Sequence, residues 1–421
     1  MSHGDWKDMF RGIQNNDILL VKYYIRLNLD LNYQHPEIMT SPLIEAIRCG
    51  HSDMVRLLLE HGASMQIKEM GTLKSPLVIA KEGGNKDIIA LLVNHQEPET
   101  NSNDTVYLPT KMKAILCTSY GPPEVLQIRE VDTPSPSKNE ILVKIMATSV
   151  NSADVRVRGL AVDGFMKIVM KFVLGFNKPR KPILGTVYSG IVVKKDKNVS
   201  DFNVGDEVYG MTGFKFGAYA EYIKVNTKSV VTYKPVNASF EEAAALPFGG
   251  QTAIFFLEKA RIHKIKNPKV LIIGASGTVG TAALQIAGIH QAEIIAVCSS
   301  AGVELVKKLG AHFIIPYDKE DFTSSAGDFD IIFDASGITT KKQCKNLLKK
   351  GGIYKTVGGM EMATEKKEQL YLLKEWFEKG VYKANIDKIF IMEDVIDAHR
   401  YAESGMKKGN IVLKIQDGKG E

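Results

Sequence analysis

The segment Lys269–Gly280, with the sequence KVLIIGASGTVG, constrains the fold more strongly than any other part of this 421-residue chain. It begins with the apolar pattern of a short buried strand, and Gly274, Gly277 and Gly280 then lead into an apolar helical pattern. Such a turn lets backbone N–H groups approach a pyrophosphate at a helix N-terminus. We interpret it as a nucleotide-binding turn; a turn with a purely structural role is the alternative.

The turn belongs to the second of two regions that differ in secondary-structure pattern. In this region, after about Glu241, strands and helices alternate, which predicts a doubly wound parallel sheet. The strands are expected at Val270–Ile273, Ile294–Val297 and Ile331–Phe333, and the helices at Val279–Gly288, Glu304–Leu309 and Lys341–Lys349. Earlier strand-like runs are separated by glycine and proline, as in a small barrel. These runs are Met112–Cys117, Glu140–Ala147, Tyr188–Lys194 and Ala218–Val225.

An internal repeat occupies the beginning of the sequence. Ser41–Ala46 recurs as Ser75–Ala80, so the offset between positions 41 and 75 is 34 residues. A period of this length, with a proline-initiated helix and a glycine turn, resembles ankyrin repeats. The pattern covers residues 5 to about 96 as three units, and a plain bundle of helical hairpins is the alternative. The polar segment Glu97–Thr110 has no periodicity and is predicted to be a linker.

Charge and cysteine content exclude several classes of protein. The 54 Lys and Arg residues are interspersed with 48 Asp and Glu, so the net charge of +6 forms no basic stripe for nucleic acid. The 4 cysteines lie far apart, which favours a reducing compartment over disulfides or a structural zinc site. Met1–Phe10 has no apolar signal segment, and glycines interrupt the apolar run Val270–Ile289. We therefore expect a cytoplasmic protein.

The residues after the second strand bear on the choice of cofactor. An acid at this point would bind the ribose 2′-hydroxyl of NAD. The sequence Ile294–Ser300, IIAVCSS, contains no acid, and Ser299 could donate a hydrogen bond to a 2′-phosphate. This pattern favours NADPH over NADH, although Ser299 and Ser300 could instead cap the next helix.

Motifs along most of the remaining chain resemble the quinone-oxidoreductase branch of the medium-chain dehydrogenase/reductase superfamily. They are Met112–Ala114, Tyr120–Leu126, Asn151–Asp154, Gly185–Gly190, Val204–Gly210, Gly217–Tyr222, the GASGTVG turn, Leu309–Ala311, Phe333–Gly337 and Ala398–Tyr401. This resemblance covers Lys111–Ile415 and implies a GroES-like β-barrel and a Rossmann α/β doubly wound parallel sheet. Together with the ankyrin-like repeat, it predicts a multidomain chain that begins with an α-helical ankyrin solenoid. The predicted boundaries are 1–97 for the ankyrin repeats, 98–110 for the linker, 111–240 for the barrel, 241–370 for the Rossmann domain, 371–415 for a return to the barrel and 416–421 for a tail.

The resemblance also implies NADPH-dependent reduction of quinones or conjugated carbonyls, and it assigns roles to individual residues. Asn151, the candidate catalytic residue, would lie near the nicotinamide, with Thr252 contacting the cofactor. Gly274, Ser276, Gly277, Thr278, Val279 and Gly280 would form the pyrophosphate turn, and Ser299 and Tyr317 would flank the 2′-phosphate. Gly358 would lie by the nicotinamide end, and Gly337 is also assigned to cofactor binding. Local structural roles are the alternatives for three of them: a helix cap for Asn151, a helix-start hydroxyl for Thr252 and a packed surface ring for Tyr317.

A catalytic zinc ion is not expected. Zinc-dependent relatives place Cys and His where this chain has Asn151 and Thr186, and Pro247–Thr252 contains no ligand type. Val187 replaces the family's acid in the barrel signature, and no proton donor is identifiable from the sequence. Without zinc an unactivated ketone is harder to polarise, whereas quinones and enones carry their own electron sink.

Three functions remain to be distinguished. The first is an active reductase with a small-molecule electron acceptor, in which the ankyrin repeats dock a protein partner or support oligomerisation. The second is an ankyrin-led interaction protein that senses NADPH, and the third is an alcohol or aldehyde dehydrogenase. The family predicts a homodimer. The apolar segment Phe165–Arg180 is interpreted as a helix over the substrate cleft, and contact with a membrane is the less favoured alternative.

Overall fold

The computed structural model describes residues 3–26, 29, 31–34, 40–65, 67–69, 72, 74–95, 108–160, 170–323 and 327–416. The chain divides into two compact units, Met1–Tyr107 and Leu108–Glu421. The predicted linker and tail, and the first half of Phe165–Arg180, lie largely outside the described residues, so their boundaries stay predictions. Among the described residues, none of the helices has the length and apolar character needed to cross a membrane.

The first unit consists of short helices that pack in consecutive pairs. They are α1 (His3–Gln14), α2 (Ile18–Arg26), α3 (Pro42–Cys49), α4 (Ser52–Glu60), α5 (Pro76–Gly83) and α6 (Lys86–Asn94). Gly50 and Gly84 end α3 and α5 with φ angles of +74° and +68°, as the repeated glycine predicts. Ala46 and Ala80 are buried, which allows the helices of neighbouring repeats to approach closely.

The second unit contains a mainly antiparallel sheet that forms the barrel. The strands that precede the parallel sheet are β1 (Lys111–Cys117), β2 (Leu126–Asp132), β3 (Glu140–Val150), β4 (Val187–Lys195), β5 (Glu207–Met211), β6 (Tyr222–Asn226) and β7 (Val231–Tyr233). The late strands β13 (Ile386–Ile391) and β14 (Asn410–Lys414) return to this barrel, and β14 pairs with β3. Within the described residues the strands of the barrel sheet follow the order β13-β14-β3-β4-β5-β7, and β6 pairs with β3.

The same unit contains a parallel sheet, whose described strands are β8 (Lys269–Ile273), β9 (Glu293–Cys298), β10 (Phe313–Pro316), β11 (Phe329–Asp334) and β12 (Leu348–Thr356). They follow the order β10-β9-β8-β11-β12. The helices of this unit are α7 (Ser152–Gly159), α8 (Phe240–Ala245), α9 (Pro247–Lys259), α10 (Thr278–Ile289), α11 (Val303–Lys308), α12 (Lys367–Glu378) and α13 (Val395–Glu403). The order with the first strand, β8, in the centre is that of a doubly wound sheet.

One predicted helix is wrong. Lys341–Lys349 forms turns and a short 3-10 helix, Lys345–Leu347, before the chain enters β12. Only Cys344 and Leu347 in this stretch are buried, so the apolar positions are too few to hold a full helix against the sheet.

Candidate active site

A cleft of about 1250 Å³ lies between the barrel and the carboxyl ends of the parallel strands. The barrel contributes Thr186 and Met211 to its walls, and the parallel sheet contributes Ile273, Val297 and Val357. Ligands of doubly wound sheets bind at this edge, and the volume is sufficient for a dinucleotide beside a small substrate.

The glycine turn forms one wall of the cleft. The N–H groups of Gly274 and Ala275 both donate to the Val297 carbonyl oxygen at 3.0 Å, which ties the turn to the end of β9. Gly274 has a φ of +74°, and a Cβ atom at Gly280 would overlap the Gly274 carbonyl oxygen. The turn therefore needs glycine at both positions, and the first N–H groups of α10 are left to bind an anion.

The segment before β14 crosses to this turn. Gly409 N–H donates to the Ser276 carbonyl oxygen at 2.9 Å, and the Thr278 hydroxyl donates to the Gly409 carbonyl oxygen at 2.7 Å. Lys407 Nζ lies 2.7 Å from Thr278 Oγ1 and lines the cleft. An ammonium group therefore lies at the N-terminus of α10, where the pyrophosphate is expected, and sequence reasoning missed it.

Replacing Lys407 with methionine is expected to weaken NADPH binding about tenfold or more, because a charge-assisted hydrogen bond contributes roughly 1.5–3 kcal/mol. Burial lowers the pKa of Lys407 to about 8, and Asp387 only partly opposes this shift. Wild-type affinity should thus fall as the pH rises through 8, whereas the affinity of Lys407→Met should not follow this change. Fluorescence titration of NADPH measures both effects. Lys408→Met, whose side chain does not line the cleft, is the matched control.

The adenosine end of the expected site lies at the ends of β9 and β10. Tyr317 lines the cleft with its side chain 53% exposed, and its N–H donates to the Cys298 carbonyl oxygen at 2.9 Å. Ser299 precedes a 3-10 turn, but its side chain makes no capping hydrogen bond. As predicted, β9 ends without an acidic residue, but the segment that follows the neighbouring strand β10 supplies one. Asp318 Oδ1 accepts from the Ser300 N–H at 2.8 Å and from the Ser300 hydroxyl at 3.0 Å.

Asn151 is a buried helix cap behind the barrel side of the cleft, where Thr186 forms the lining. Its Oδ1 accepts from the Ala153 N–H at 2.9 Å at the start of α7, and its Nδ2 donates to Thr186 Oγ1 at 2.8 Å. The side chain is 2% exposed, whereas Thr186 lines the cleft. Asn151 therefore does cap helix α7. Any effect of Asn151 on the nicotinamide would be indirect, through its hydrogen bond to Thr186.

Helix α9 supplies two further polar side chains that line the cleft. Thr252 Oγ1 donates to the Phe248 carbonyl oxygen at 2.7 Å, so its hydroxyl proton is used within the helix. Gln251 is 2% exposed, and its Oε1 accepts from the Lys366 N–H at 2.9 Å. Gln251 Nε2 is buried without a hydrogen-bond partner in the described structure. A buried amide that lacks a partner is costly, so Gln251 is a candidate donor to a ligand that sequence reasoning missed.

The loop after β11 is held by the fully buried carboxylate of Asp334. Its Oδ1 accepts from the Gly337 N–H and its Oδ2 from the Thr339 N–H, both at 2.8 Å. Gly337 has a φ of +75°, and a Cβ at Gly358 would lie 2.5 Å from the Gly337 carbonyl oxygen. These two glycines therefore allow two backbone segments to touch at the edge of the cleft.

The structure thus places eight of the predicted residues in the cleft lining and four outside it. Those that line the cleft are Thr252, Gly274, Ser276, Gly277, Thr278, Val279, Tyr317 and Gly358. Those that do not are Asn151, Gly280, Ser299 and Gly337. Of Phe165–Arg180, residues 165–169 lie outside the described residues, while Met170 and Leu174 line the cleft.

The remaining wall is apolar. It contains Phe214, Phe216, Phe248 and Phe256 together with Met170 and Leu174. Three charged side chains border it: Arg156, Glu361 and Glu365. In the described part of the chain, no group of three or more His, Cys, Asp or Glu side chains is arranged to hold a metal ion.

Comparisons with known proteins agree with this architecture. Residues 137–235 match the family described as alcohol dehydrogenase GroES-like domain, and residues 278–385 match zinc-binding dehydrogenase. Residues 9–104 match ankyrin repeats in 3 copies.

Individual relatives are similar over most of their length. The 2-methylene-furan-3-one reductase of Solanum lycopersicum is 33% identical over 336 residues, covering 76% of this chain and 83% of the relative. The NADPH-dependent alkenal/one oxidoreductase, chloroplastic, of Arabidopsis thaliana is 29% identical, covering 73% and 80%. The structure of the quinone oxidoreductase from Coxiella burnetii superimposes with a TM-score of 0.63 at 28% identity, covering 73% of this chain and 100% of that one.

The chain therefore belongs to the medium-chain dehydrogenase/reductase family, among its quinone and enone oxidoreductases, and it carries ankyrin repeats before the reductase unit. The predicted combination of ankyrin solenoid, GroES-like barrel and Rossmann sheet is confirmed.

Proposed function

We propose that this chain is a zinc-independent, NADPH-dependent oxidoreductase that transfers hydride to a conjugated enone, enal or quinone. The observation that carries the proposal is that one cleft contains both a candidate cofactor site and an apolar wall. The candidate cofactor site is the glycine turn with Lys407 bound to Thr278, and the apolar wall is suited to a hydrophobic acceptor. The relatives support the acceptor class, because their names refer to a 2-methylene-furan-3-one, to alkenals and alkenones, and to quinones.

The residues present fit a dinucleotide. The N–H groups at the start of α10 and the Lys407 ammonium would bind the pyrophosphate, and Ser299 and Tyr317 would flank the adenosine. Asn151, Thr252, Gly337 and Gly358 would surround the nicotinamide end. When bound, NADPH supplies the hydride; the chain orients the two reactants and excludes water from the apolar wall.

Zinc independence is supported by the residue types on the barrel side. An amide and a hydroxyl, Asn151 Nδ2 and Thr186 Oγ1, are hydrogen-bonded to each other at 2.8 Å, and neither is a usual zinc ligand. A conjugated acceptor delocalises the charge that hydride transfer creates, so its reduction does not depend on a Lewis acid as that of a plain ketone does.

The ankyrin repeats are proposed to dock a protein partner through their concave face, since this is how such repeats recognise proteins. A homodimer and a cytoplasmic location complete the proposal. Size-exclusion chromatography with light scattering tests the dimer, and fractionation of cells tests the location.

The test of the function is the consumption of NADPH and NADH with a panel of quinones, enones and plain aldehydes, before and after dialysis against a zinc chelator. We expect turnover of enones or quinones with NADPH, unchanged by the chelator, and no turnover of aldehydes. Aldehyde reduction that is lost on chelation would instead identify an alcohol or aldehyde dehydrogenase. NADPH binding without turnover of any acceptor would identify an ankyrin-led sensor.

A further inference from the structure

A carboxyl group from the segment after the Rossmann sheet reaches the barrel wall of the cleft. Glu365 lines the cleft, and its Oε2 lies 2.8 Å from the position that a Cβ atom would take at Gly213. The next residue is anchored, because the Lys366 N–H donates to Gln251 Oε1 at 2.9 Å. The backbone that carries Glu365 is therefore fixed to helix α9, and its carboxyl group is directed to the loop after β5.

This loop lies beside the proposed nicotinamide end of the cleft. Thr212, which precedes Gly213, donates its N–H to the Thr186 carbonyl oxygen at 2.8 Å. The Thr186 hydroxyl in turn accepts from Asn151 at 2.8 Å. The carboxyl group of Glu365 thus borders the end of the cleft that Thr186 lines and behind which Asn151 is buried.

Within the described residues, no hydrogen bond or ion pair engages the carboxyl group of Glu365, unlike that of Glu361. The Glu361 carboxylate accepts a hydrogen bond from Lys355 Nζ at 2.7 Å, and this bond lowers the pKa of Glu361. The remaining titratable groups of the described cleft are Arg156, Cys298, Tyr317 and Lys407.

None of these four is a suitable proton donor at the barrel end. Arg156 does not give up its proton in a protein. Cys298 ends β9 and Tyr317 follows β10, where the adenosine is expected, and burial raises the pKa of Cys298 to about 11. Lys407 is bound to Thr278 at the glycine turn.

We propose that Glu365 is the proton donor of the reduction, a role that rests on the proposed function. Hydride adds to the β-carbon of an enone, and the electron pair of the carbon–carbon double bond shifts to form an enolate. The O–H bond of Glu365 then breaks, its proton forms the new C–H bond at the α-carbon, and the carboxylate that remains takes a proton from water entering the cleft. The sum is one enone, one NADPH and one proton converted to a saturated ketone and NADP⁺.

Burial raises the pKa of Glu365 above the ordinary value for glutamate, so a larger fraction of this group is protonated near neutral pH. Only the protonated form can donate. The kcat of the wild-type protein should therefore decrease as the pH rises through the raised pKa of Glu365.

The experiment compares wild type, Glu365→Gln, Glu365→Asp and the control Glu368→Gln with an α-methyl enone in deuterium oxide. Glu368 is an exposed glutamate in the first turn of α12 and does not line the cleft. For Glu365→Gln we expect a decrease in kcat of about 100-fold or more, a KM for the enone within a few-fold of wild type, and loss of the pH dependence. Glu365→Asp should retain part of the rate, and Glu368→Gln should match wild type.

The stereochemistry of labelling separates proton donation from a structural role. Wild type should deliver deuterium to one face of the α-carbon, whereas Glu365→Gln should give both faces because solvent then supplies the proton. NADPH affinity by fluorescence, which should be unchanged, reports whether the variant is folded, and the infrared absorption of protonated carboxyl groups should decrease in Glu365→Gln without any turnover.

Two failures can be told apart. If wild type reduces no enone, enal or quinone, the proposed function falls and the role of Glu365 falls with it. If wild type reduces quinones but no enone, the proposed function stands and the role of Glu365 as proton donor to an enone is overturned. If wild type reduces the enone and Glu365→Gln matches it in rate, pH profile and face of labelling, the proposed function stands and the role of Glu365 is overturned.

Discussion

Replacing Gly280 with alanine is expected to weaken NADPH binding by more than about 100-fold. The added Cβ would overlap the Gly274 carbonyl oxygen and would lie 2.7 Å from the Ala275 backbone. Both neighbours are backbone atoms of the same tight turn, so neither can move as a flexible side chain would. The turn must open, which displaces the N–H groups at the start of α10 and lowers the free energy of unfolding by about 1–3 kcal/mol.

Helix α10 offers its own control for this substitution. Gly288 lies in the last turn of the same helix, is exposed, and has no atom within 4 Å of the position of an added Cβ. Gly288→Ala should leave NADPH affinity unchanged and should stabilise the helix by about 0.5–1 kcal/mol. Fluorescence titration and thermal unfolding measure both variants. Affinity of Gly280→Ala within a few-fold of wild type would show that the turn does not form the cofactor site.

Replacing Asp334 with alanine is expected to lower the free energy of unfolding of the reductase unit by about 4 kcal/mol. Its buried carboxylate accepts from the N–H groups of Ser336, Gly337 and Thr339 at 2.8–3.1 Å, and from the hydroxyls of Ser336 and Thr339 at 2.8 Å. With alanine at this position these N–H and hydroxyl groups lose their acceptor while they remain largely buried, which is energetically costly. The loop that presses Gly337 against Gly358 should then loosen, so NADPH affinity should also decrease.

Denaturant unfolding in a Trp6→Phe background measures this change. The chain has 2 tryptophans, so Trp376 on α12 then reports on the reductase unit alone. Amide hydrogen exchange at residues 335–339 should accelerate in Asp334→Ala. Asp328→Ala, at an exposed site just before β11, is the control and should change stability by less than about 0.5 kcal/mol. If Asp334→Ala is as stable as this control, the Asp334 carboxylate does not hold the loop after β11 in the way we describe.

The parts of this protein that could be predicted from the sequence are those encoded locally. The strand β8, the turn at Gly274 and the helix α10 follow one another within one short stretch, so the apolar pattern and the glycines specify them together. The ankyrin helices were predictable because Pro42 and Gly50 recur one repeat later as Pro76 and Gly84. The helix predicted at Lys341–Lys349 is wrong because its apolar residues reach the core over only one turn.

The side chains that complete the site could not be predicted, because they meet only in the folded chain. Lys407 reaches Thr278, and Gln251 binds the backbone next to Glu365, without any local motif that marks either pair. Asp318 joins the end of β9 because Pro316 pairs with Cys298, and this strand register is not visible in the sequence.

Local motifs also do not reveal which hydrogen bonds a polar side chain makes in the folded protein. Asn151 was identified by its turn, and the structure shows that both ends of its amide are engaged by α7 and Thr186. The hydroxyl of Thr252 is likewise bound to its own helix. A motif specifies where such a side chain lies, whereas its remaining hydrogen-bonding capacity depends on neighbours that the motif does not contain.

The contact between Gly409 and the glycine turn also bears on how the protein matures during synthesis. The turn at Gly274 leaves the ribosome long before the segment preceding β14 that braces it, since 131 residues separate Thr278 from Gly409. A nascent chain that ends before Lys407 lacks both this brace and the Lys407 ammonium. The cofactor should therefore bind only after β14 has been synthesised and has paired with the barrel, which makes binding one of the last steps of folding. Until then the parallel sheet and its helices fold without a bound ligand to stabilise them.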